Sequence, residues 1–329
     1  MAGLTPELTE AHYRIIAALQ VDGRATWRKI ATVLDMPERS VARHGAWLLE
    51  NGLVKVAAIR HRKHSLLLAC SCAPGTVRIA SETLSAREDT SFSYQVTGRE
   101  DLVAELHYSG DITDMLSLQL PATPGVSSLV VYPILKFFKT IRGWRMGSLT
   151  AVEEQALRKE ADPILLRTLP DLGAKDELII AVLREDGRAS IESIARRVAM
   201  SETSVARRID WLLGNSLISI RALVEPSVVG LPVEALLWVS TTPSKIDSLG
   251  QKMAARPEVR YAAAVAGDCQ LVVNVTVASQ AALYNFISDN AWDDSLMQVK
   301  TSLVVQARKR GGQLVDQAAG SYLTNTLSR

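Results

Sequence analysis

"VDGRATWRKIATVLDMPERSVARHGAWLLENGLV" (21–54) returns further along the chain as "EDGRASIESIARRVAMSETSVARRIDWLLGNSLI" (185–218). The two stretches align without a gap at an offset of 164, with 17 identities in 34 positions. Biased composition does not set Trp47 on Trp211 and Asn51 on Asn215, so the unit is duplicated. A fainter echo follows each copy: "YQVTGREDLVAEL" (94–106) and "AAVAGDCQLVVNV" (263–275), now at an offset of 169. The chain therefore reads as two copies of a two-part module, and the fold of one copy decides the fold of both.

Within the repeat, residues 9–20 place Tyr13, Ile15, Ile16 and Leu19 on one helical face. Thr9 is the expected N-cap and Gly23 the stop. Ile30, Ala31 and Leu34 share a face of the next short helix. After the turn Asp35-Met36-Pro37, proline opens a third helix that runs to about Asn51. Copy two caps its third helix with Ser201 and runs it from Glu202 to about Asn215. Two short helices, a tight turn and a third helix make a helix-turn-helix, here twice. The small Ala31 and Ala195 permit close helix approach, and Val41 and Val205 fill the core from the third helix.

That leaves Arg39, Ser40, Arg43 and His44 outward on the recognition helix of copy one, and Thr203, Ser204, Arg207 and Arg208 on that of copy two. Arginine pairs with guanine edges, and serine or threonine serves base or phosphate. Arg24, Arg28 and Lys29, with Arg188 and Arg196, are expected on phosphates, so the expected partner is double-stranded DNA. Glu38 and Glu202 suit a helix N-terminus but would repel a nearby phosphate. Three-helix units of this kind also serve as dimerisation modules without DNA. Trp47 and Trp211, late in the recognition helices, are expected to pack rather than touch bases. Copy one carries Gly45 where copy two carries Ile209. A helical glycine costs about 1 kcal/mol against alanine and removes a core side chain. Copy one is therefore expected to bind DNA less well or differently, although it is the more basic.

The second part of copy two reads strand (233–241), helix (243–256), two strands across a Gly-Asp turn (258–267, 269–278), helix (279–292) and strand (296–307). The order β-α-β-β-α-β is a ferredoxin-like sandwich, and copy one follows it from 65–72 to 127–136. Helices cover one sheet face. Leu237, Val239 and Val273 suggest that the other face is apolar too, so it needs a partner sheet, from the other copy or from another chain.

Composition agrees with this α+β reading. The chain has 329 residues, 47% hydrophobic and 22% charged, which is globular and enough for two to four domains. A net charge of +2 gives no global basic character, so charge is read locally. Residues 1–64 hold ten Lys/Arg against six Asp/Glu, whereas 174–225 hold eight of each. Three cysteines make no disulfide framework, and Cys70 and Cys72 lack companions at zinc-ligand spacing, so no metal or other cofactor is expected. "MAGLTPELTE" lacks the basic start and apolar core of a signal peptide, and no apolar run approaches the roughly 20 residues of a membrane helix. A cytoplasmic protein without a membrane partner is expected.

A helix-turn-helix followed by a β-α-β-β-α-β domain resembles the leucine-responsive/asparagine regulators, the Lrp/AsnC family, here in a tandem-duplicated form. The residues that carry the resemblance are "DGRAS", "IARRVAMSETSVARRIDWL" and "AGDCQLVV". The resemblance implies that the first domain binds DNA. It implies that the second, a RAM-type domain, builds dimers and higher homo-oligomers and binds an amino acid or other small effector at their interfaces. The family's Gly-Asp-x-Asp turn is split here. Gly98-Arg99-Glu100-Asp101 keeps the second acid and Gly267-Asp268-Cys269-Gln270 the first. Gly98, Asp101, Gly267 and Asp268 are the effector candidates, a carboxylate for an ammonium and turn amides for a carboxylate. Read simply, Gly98 and Gly267 make hairpin turns.

The expected domains are helix-turn-helix units at 1–58 and 174–224, ferredoxin-like effector/assembly domains at 64–145 and 232–310, a linker at 146–173 and a C-terminal tail at 311–329. The linker, with hinges at Pro163, Pro170 and Gly173, lets the two helix-turn-helix units reach successive major grooves roughly 34 Å apart. The expected operator is an imperfect palindrome. The competing class is the sirohaem decarboxylases, enzymes of the same architecture. Their His-Cys-Tyr strand and Trp-Pro-Tyr-Asn turn are missing from "SFSYQVTGRED" and "YAAAVAGDCQ". No nucleophile–base or carboxylate pair stands out elsewhere, so no catalysis is expected. An effector-binding scaffold without DNA is the third reading.

Overall fold

The computed structural model describes residues 7–61, 64–158, 172–289, 292, 296–316 and 321–322. Copy one runs α1 (Glu10–Val21), α2 (Trp27–Leu34), α3 (Glu38–Glu50) and β1 (Val54–Arg60), then β2 (His64–Cys72), α4 (Val77–Ala86), β3 (Thr90–Val96), β4 (Leu102–Tyr108) and β5 (Val126–Lys139). A short α5 (Ala151–Leu157) follows. Copy two repeats the order with α6 (Ala174–Glu185), α7 (Ile191–Val198), α8 (Glu202–Gly214) and β6 (Ile218–Val224). It continues with β7 (Val233–Thr241), α9 (Ile246–Ala255), β8 (Val259–Val265), β9 (Leu271–Val277), α10 (Gln280–Ile287), β10 (Leu296–Arg310) and β11 (Gln313–Asp316). Where copy two has α10, copy one has only a π-helical turn, Met115–Gln119. Of the expected hinges, Pro163 and Pro170 lie outside the described residues, and Gly173 is the N-cap of α6.

The chain forms two compact units, each assembled from both copies. One holds 7–61, 145–158 and 172–225; the other holds 64–144, 226–289 and 296–316. In the first unit the local signals act as read. Thr26 Oγ1 accepts from Lys29 N, and Ser190 and Ser201 cap α7 and α8 in the same way. Ile15, Ile16, Leu19, Ile30, Leu34, Val41 and Leu48 are buried, as are their counterparts Ile179, Ile180, Leu183, Ile194, Val198, Val205 and Leu212.

The strands that end the two helix-turn-helix units, β1 and β6, pair with each other antiparallel. Their ladder centres on Ala57 opposite Arg221, positions one repeat offset apart, so a local two-fold axis passes through this pair. The remaining contacts obey the same axis. Gly23 N donates to Ile220 O at 3.1 Å and Gly187 N to Val56 O at 2.8 Å.

The second unit joins two ferredoxin-like sheets face to face. β5 pairs with β2 through its first half and with β8 of the other copy through its second. β10 likewise pairs with β7 and then with β3. The two long strands thus stitch both sheets together. Between the sheets lie Leu67, Phe92, Tyr94, Val103, Leu236, Tyr261 and Val272, the apolar face that required a partner. The opposite face of the second sheet packs Leu237, Val273 and Val275 against Leu249, Met253 and Phe286 of α9 and α10.

Candidate functional site

The Asp-Gly-Arg of each copy is where the two helix-turn-helix units meet. Asp22 Oδ1 accepts from Arg24 N at 3.0 Å and Asp186 Oδ1 from Arg188 N at 2.8 Å, so each aspartate fixes the turn that aims its arginine. Glycine is required because the strand of the other copy passes over it. A Cβ on Gly23 would stand 2.8 Å from Arg221 Cα, and one on Gly187 would stand 3.0 Å from Ala57 N. Arg24 then donates to Gly187 O and Ala189 O at 2.7 and 3.1 Å, and Arg188 to Gly23 O and Ala25 O at 2.8 and 3.0 Å. The expectation of phosphate contacts from Arg24 and Arg188 is therefore corrected. Their guanidiniums satisfy carbonyls that no strand or helix bonds, and burial lowers both pKa values from the ordinary arginine range.

Other candidates divide between anchored and free. Lys29 Nζ is tied to Leu157 O of α5 at 2.9 Å. Arg208, expected on a base, instead holds the buried Asp176 of α6 with both Nε and Nη2 and lies over the Trp211 ring at 4.0 Å. His44, expected outward, turns its Nδ1 to His12 Nε2 at 2.9 Å, and His12 stacks against Trp47. Both tryptophans pack, as their late positions suggested. Arg196 is exposed and pairs with Glu192 on its own helix. The side chains of Arg28, Arg39 and Arg207 are exposed and make no hydrogen bond or ion pair among the described residues, and Thr203 is exposed on the same helix as Arg207. Ser40 and Ser204 are half-buried, Ser204 accepting from the Ser201 hydroxyl. Arg43 is exposed, 3.5 Å from His44 Nε2. The outer faces of α3 and α8 thus carry Arg39 and Arg43, and Thr203 and Arg207, around one axis.

Gly45 does not interrupt α3, which runs unbroken through it. A Cβ there would lie 2.4 Å from the Trp27 ring. Copy one fills with Trp27 the space that copy two fills with Ile209, and Ile191 stands where Trp27 does. The expected loss of a core side chain is thus made good by a larger one nearby. Trp27 in turn lies 4.3 Å beneath the Arg188 guanidinium, which joins the two copies.

In the second unit a cavity of about 240 Å³ is lined by turns of both copies. Gly98, Arg99 and Glu100 come from the β3–β4 turn and Asp268 and Cys269 from the β8–β9 turn. Tyr132 of β5, Trp238 and Ser240 of β7, and Lys300, Thr301 and Ser302 of β10 complete it. Tyr132 donates to Asp268 Oδ1 at 2.9 Å, and Lys300 Nζ stands 4.0 Å from Asp268 Oδ2. Burial, then the neighbouring carboxylate, push the Tyr132 hydroxyl upward and the Cys269 thiol up to about 12, so both stay protonated. Of the four effector candidates, Gly98 and Asp268 line this cavity. Gly267 stands behind it, where a Cβ would meet the Tyr132 ring at 2.5 Å. Asp101 does not belong with them: its Oδ2 accepts from Cys72 N at 2.7 Å, which fixes the turn to β2. Tyr132, Trp238 and Lys300 carry no signal in the sequence that sets them apart. Among the described residues no cluster of His, Cys, Asp and Glu could hold a metal ion, and no helix is long and apolar enough to cross a membrane.

Comparison with known proteins agrees on both parts. Residues 8–55 match a winged helix-turn-helix DNA-binding domain, 172–213 an AsnC-type helix-turn-helix domain, and 234–314 the Lrp/AsnC ligand binding domain. An HTH-type transcriptional regulator of Pyrococcus horikoshii is 30% identical over 143 residues, 43% of this chain and 90% of its own length. The regulator LrpA of Mycobacterium tuberculosis is 27% identical over 135 residues, 40% of this chain and 84% of its own. A relative of that length spans one module of the two. The crystal structure of the siroheme decarboxylase NirDL with an iron-uroporphyrin III analogue shares the fold across 91% of this chain and 92% of its own, with a TM-score of 0.62 and 14% identity. The two helix-turn-helix domains, the ligand-binding domain and the archaeal relative make this chain a member of the Lrp/AsnC family, with the family's module present twice.

Proposed function

We infer that the protein is a DNA-binding transcriptional regulator in which one chain does the work of a dimer. The observation that carries this is the local two-fold axis through Ala57 and Arg221, about which α3 and α8 present Arg39 and Arg207, unpaired among the described residues. A two-fold protein reads a two-fold operator. Because α3 offers Arg39, Ser40 and Arg43 where α8 offers Thr203, Ser204 and Arg207, the operator is a palindrome with unequal halves. Arg28 and the exposed Arg196 are the phosphate contacts. The cavity between the turns is the effector site. Asp268 faces an ammonium, Lys300 and the Gly98 turn face a carboxylate, and Trp238 covers an apolar group, which suits a small zwitterion such as an amino acid.

Fluorescence anisotropy with the protein's own upstream DNA and with scrambled DNA, across a salt series, tests this. Tight binding to the upstream fragment alone, with a steep salt slope, supports the regulator. Weak and equal binding to both overturns it. The whole-chain fold shared with a siroheme decarboxylase favours a second reading, an enzyme acting in the cavity. A tetrapyrrole absorption band in the purified protein would support that reading instead.

A further inference from the structure

The repeat offset sets two pairs of residues in equivalent places. His12 and His44 join α1 to α3 in copy one; Asp176 and Arg208 join α6 to α8 in copy two. Each pair packs against the tryptophan of its recognition helix, Trp47 or Trp211. The ion pair needs a carboxylate and a cation. The histidine pair needs both rings neutral, and the bonding shows why. Thr9 N donates to His12 Nδ1 at 3.0 Å, so that nitrogen carries no proton. His12 Nε2 therefore holds the ring's hydrogen and donates it to His44 Nδ1 at 2.9 Å. A proton on His12 breaks the bond at the N-terminus of α1. A proton on His44 sets two N–H groups against each other.

Nothing nearby welcomes the added charge. No carboxylate lies within ion-pairing distance of either ring among the described residues. Arg14 is taken by Glu153 of α5 and Lys29 of α2 by Leu157 O. Arg43 on α3 is a cation beside His44. Glu10, Glu38, Glu50, Arg28 and Arg39 are exposed. His12 itself is buried, and burial, then His44, lower its pKa.

We propose that the His12–His44 pair is an acid-sensitive latch on the first helix-turn-helix alone: protonation releases α3 from α1, while α8 stays held by Asp176 and Arg208. The sign follows from the depressed pKa. The latch is at full strength above the ordinary histidine value near 6.5 and weakens as pH falls below it. Asp176 is held below the usual carboxylate range by Arg208, so copy two keeps its tie through the same pH interval. The inference rests on α3 being a recognition helix only for its consequence, which is that acid removes one half-site contact and leaves the other.

Amide hydrogen exchange, corrected for intrinsic rates, at pH 7.5 and 5.5 tests the latch without DNA, and copy two is the internal control. Protection in α1 and α3 should fall by up to about tenfold, the most that one group with an unfolded pKa near 6.5 loses when the pH reaches 5.5, with α6 and α8 unchanged. His12→Asp with His44→Arg should abolish the loss. If that variant does not fold, Asp176→His with Arg208→His should move the sensitivity to copy two. Equal loss in both copies, or the same pH response after the exchange, overturns the proposal. Unchanged DNA affinity with a confirmed latch would count against α3 as a reader, not against the latch.

Discussion

Arg24 and Arg188 make the same bonds in opposite directions, each donating to two backbone carbonyls of the other helix-turn-helix unit at 2.7–3.1 Å. The pair therefore locks the two DNA-reading halves to each other. A hydrogen bond from a charged donor contributes about 1.5–3 kcal/mol, and these arginines are half-buried, so solvent screening keeps the contribution toward the lower part of that range. Arg24→Ala should lower unfolding free energy by about 2 kcal/mol in urea titration. Arg188→Ala should cost more, because it also uncovers the Trp27 ring. Neither change should alter the salt slope of DNA binding, as both arginines face protein rather than phosphate. A slope reduced by about one would return them to the DNA contact set.

Gly45→Ala tests the exchange of volume between the copies. Helix propensity alone makes the change favourable by about 1 kcal/mol. The new methyl, however, would meet the Trp27 ring at 2.4 Å, and overpacking of a filled core costs about 1–3 kcal/mol. The single variant should be destabilised. Gly45→Ile alone should be destabilised further, and Trp27→Ile with Gly45→Ile, the residues copy two uses, should recover most of that loss. Denaturant midpoints of Trp27→Ile, Gly45→Ile and the double variant give the coupling.

Local periodicity made the three-helix units and the strand order legible, because each helix face and strand alternation is written within about a dozen residues. What stayed hidden lies between positions that no local pattern connects. Asp-Gly-Arg read as a helix stop with a surface cation. Only the antiparallel pairing of β1 with β6 brings Gly187 O to Arg24. Gly45 read as a defect because its filler, Trp27, sits on another helix. Arg208 and His44 read as outward because helical spacing gives a direction but not the partner on α6 or α1 that draws the side chain back. The cavity combines turns 169 positions apart with Tyr132 and Lys300, neither of which stands out in its own strand.

The second unit should respond to pH in the opposite sense to the histidine latch. Glu105 lies between the sheets, and burial pushes its carboxyl from 4.5 up to about 7. Folding thus favours its neutral form. This stability is fully present below the unfolded pKa and is lost as pH rises through the folded one. The interval corresponds to on the order of 3 kcal/mol. Glu105→Gln, which keeps the shape without the charge, should gain stability over the parent as pH is raised from 5 to 8. Melting temperatures of both proteins at four or five pH values check this, and a constant difference across the range would reject it.

The two neighbouring arginines of α8 should behave as different kinds of residue. Arg207 is exposed and its side chain has no partner among the described residues, whereas Arg208 is committed to Asp176 and Trp211. If Arg207 pairs with a guanine edge, Arg207→Ala should weaken specific binding by about 1–3 kcal/mol and relax preference at one base pair, with the fold unchanged. Arg208→Ala leaves the buried Asp176 carboxylate without its cation, so its first effect should be on stability. Its effect on DNA should follow from the loosened α8 and fall on specific and scrambled DNA alike. Anisotropy on both sequences, read beside thermal melts of both variants, separates the roles. If Arg208→Ala melts like the parent yet loses only specific binding, the Asp176 ion pair is dispensable and Arg208 reads DNA after all.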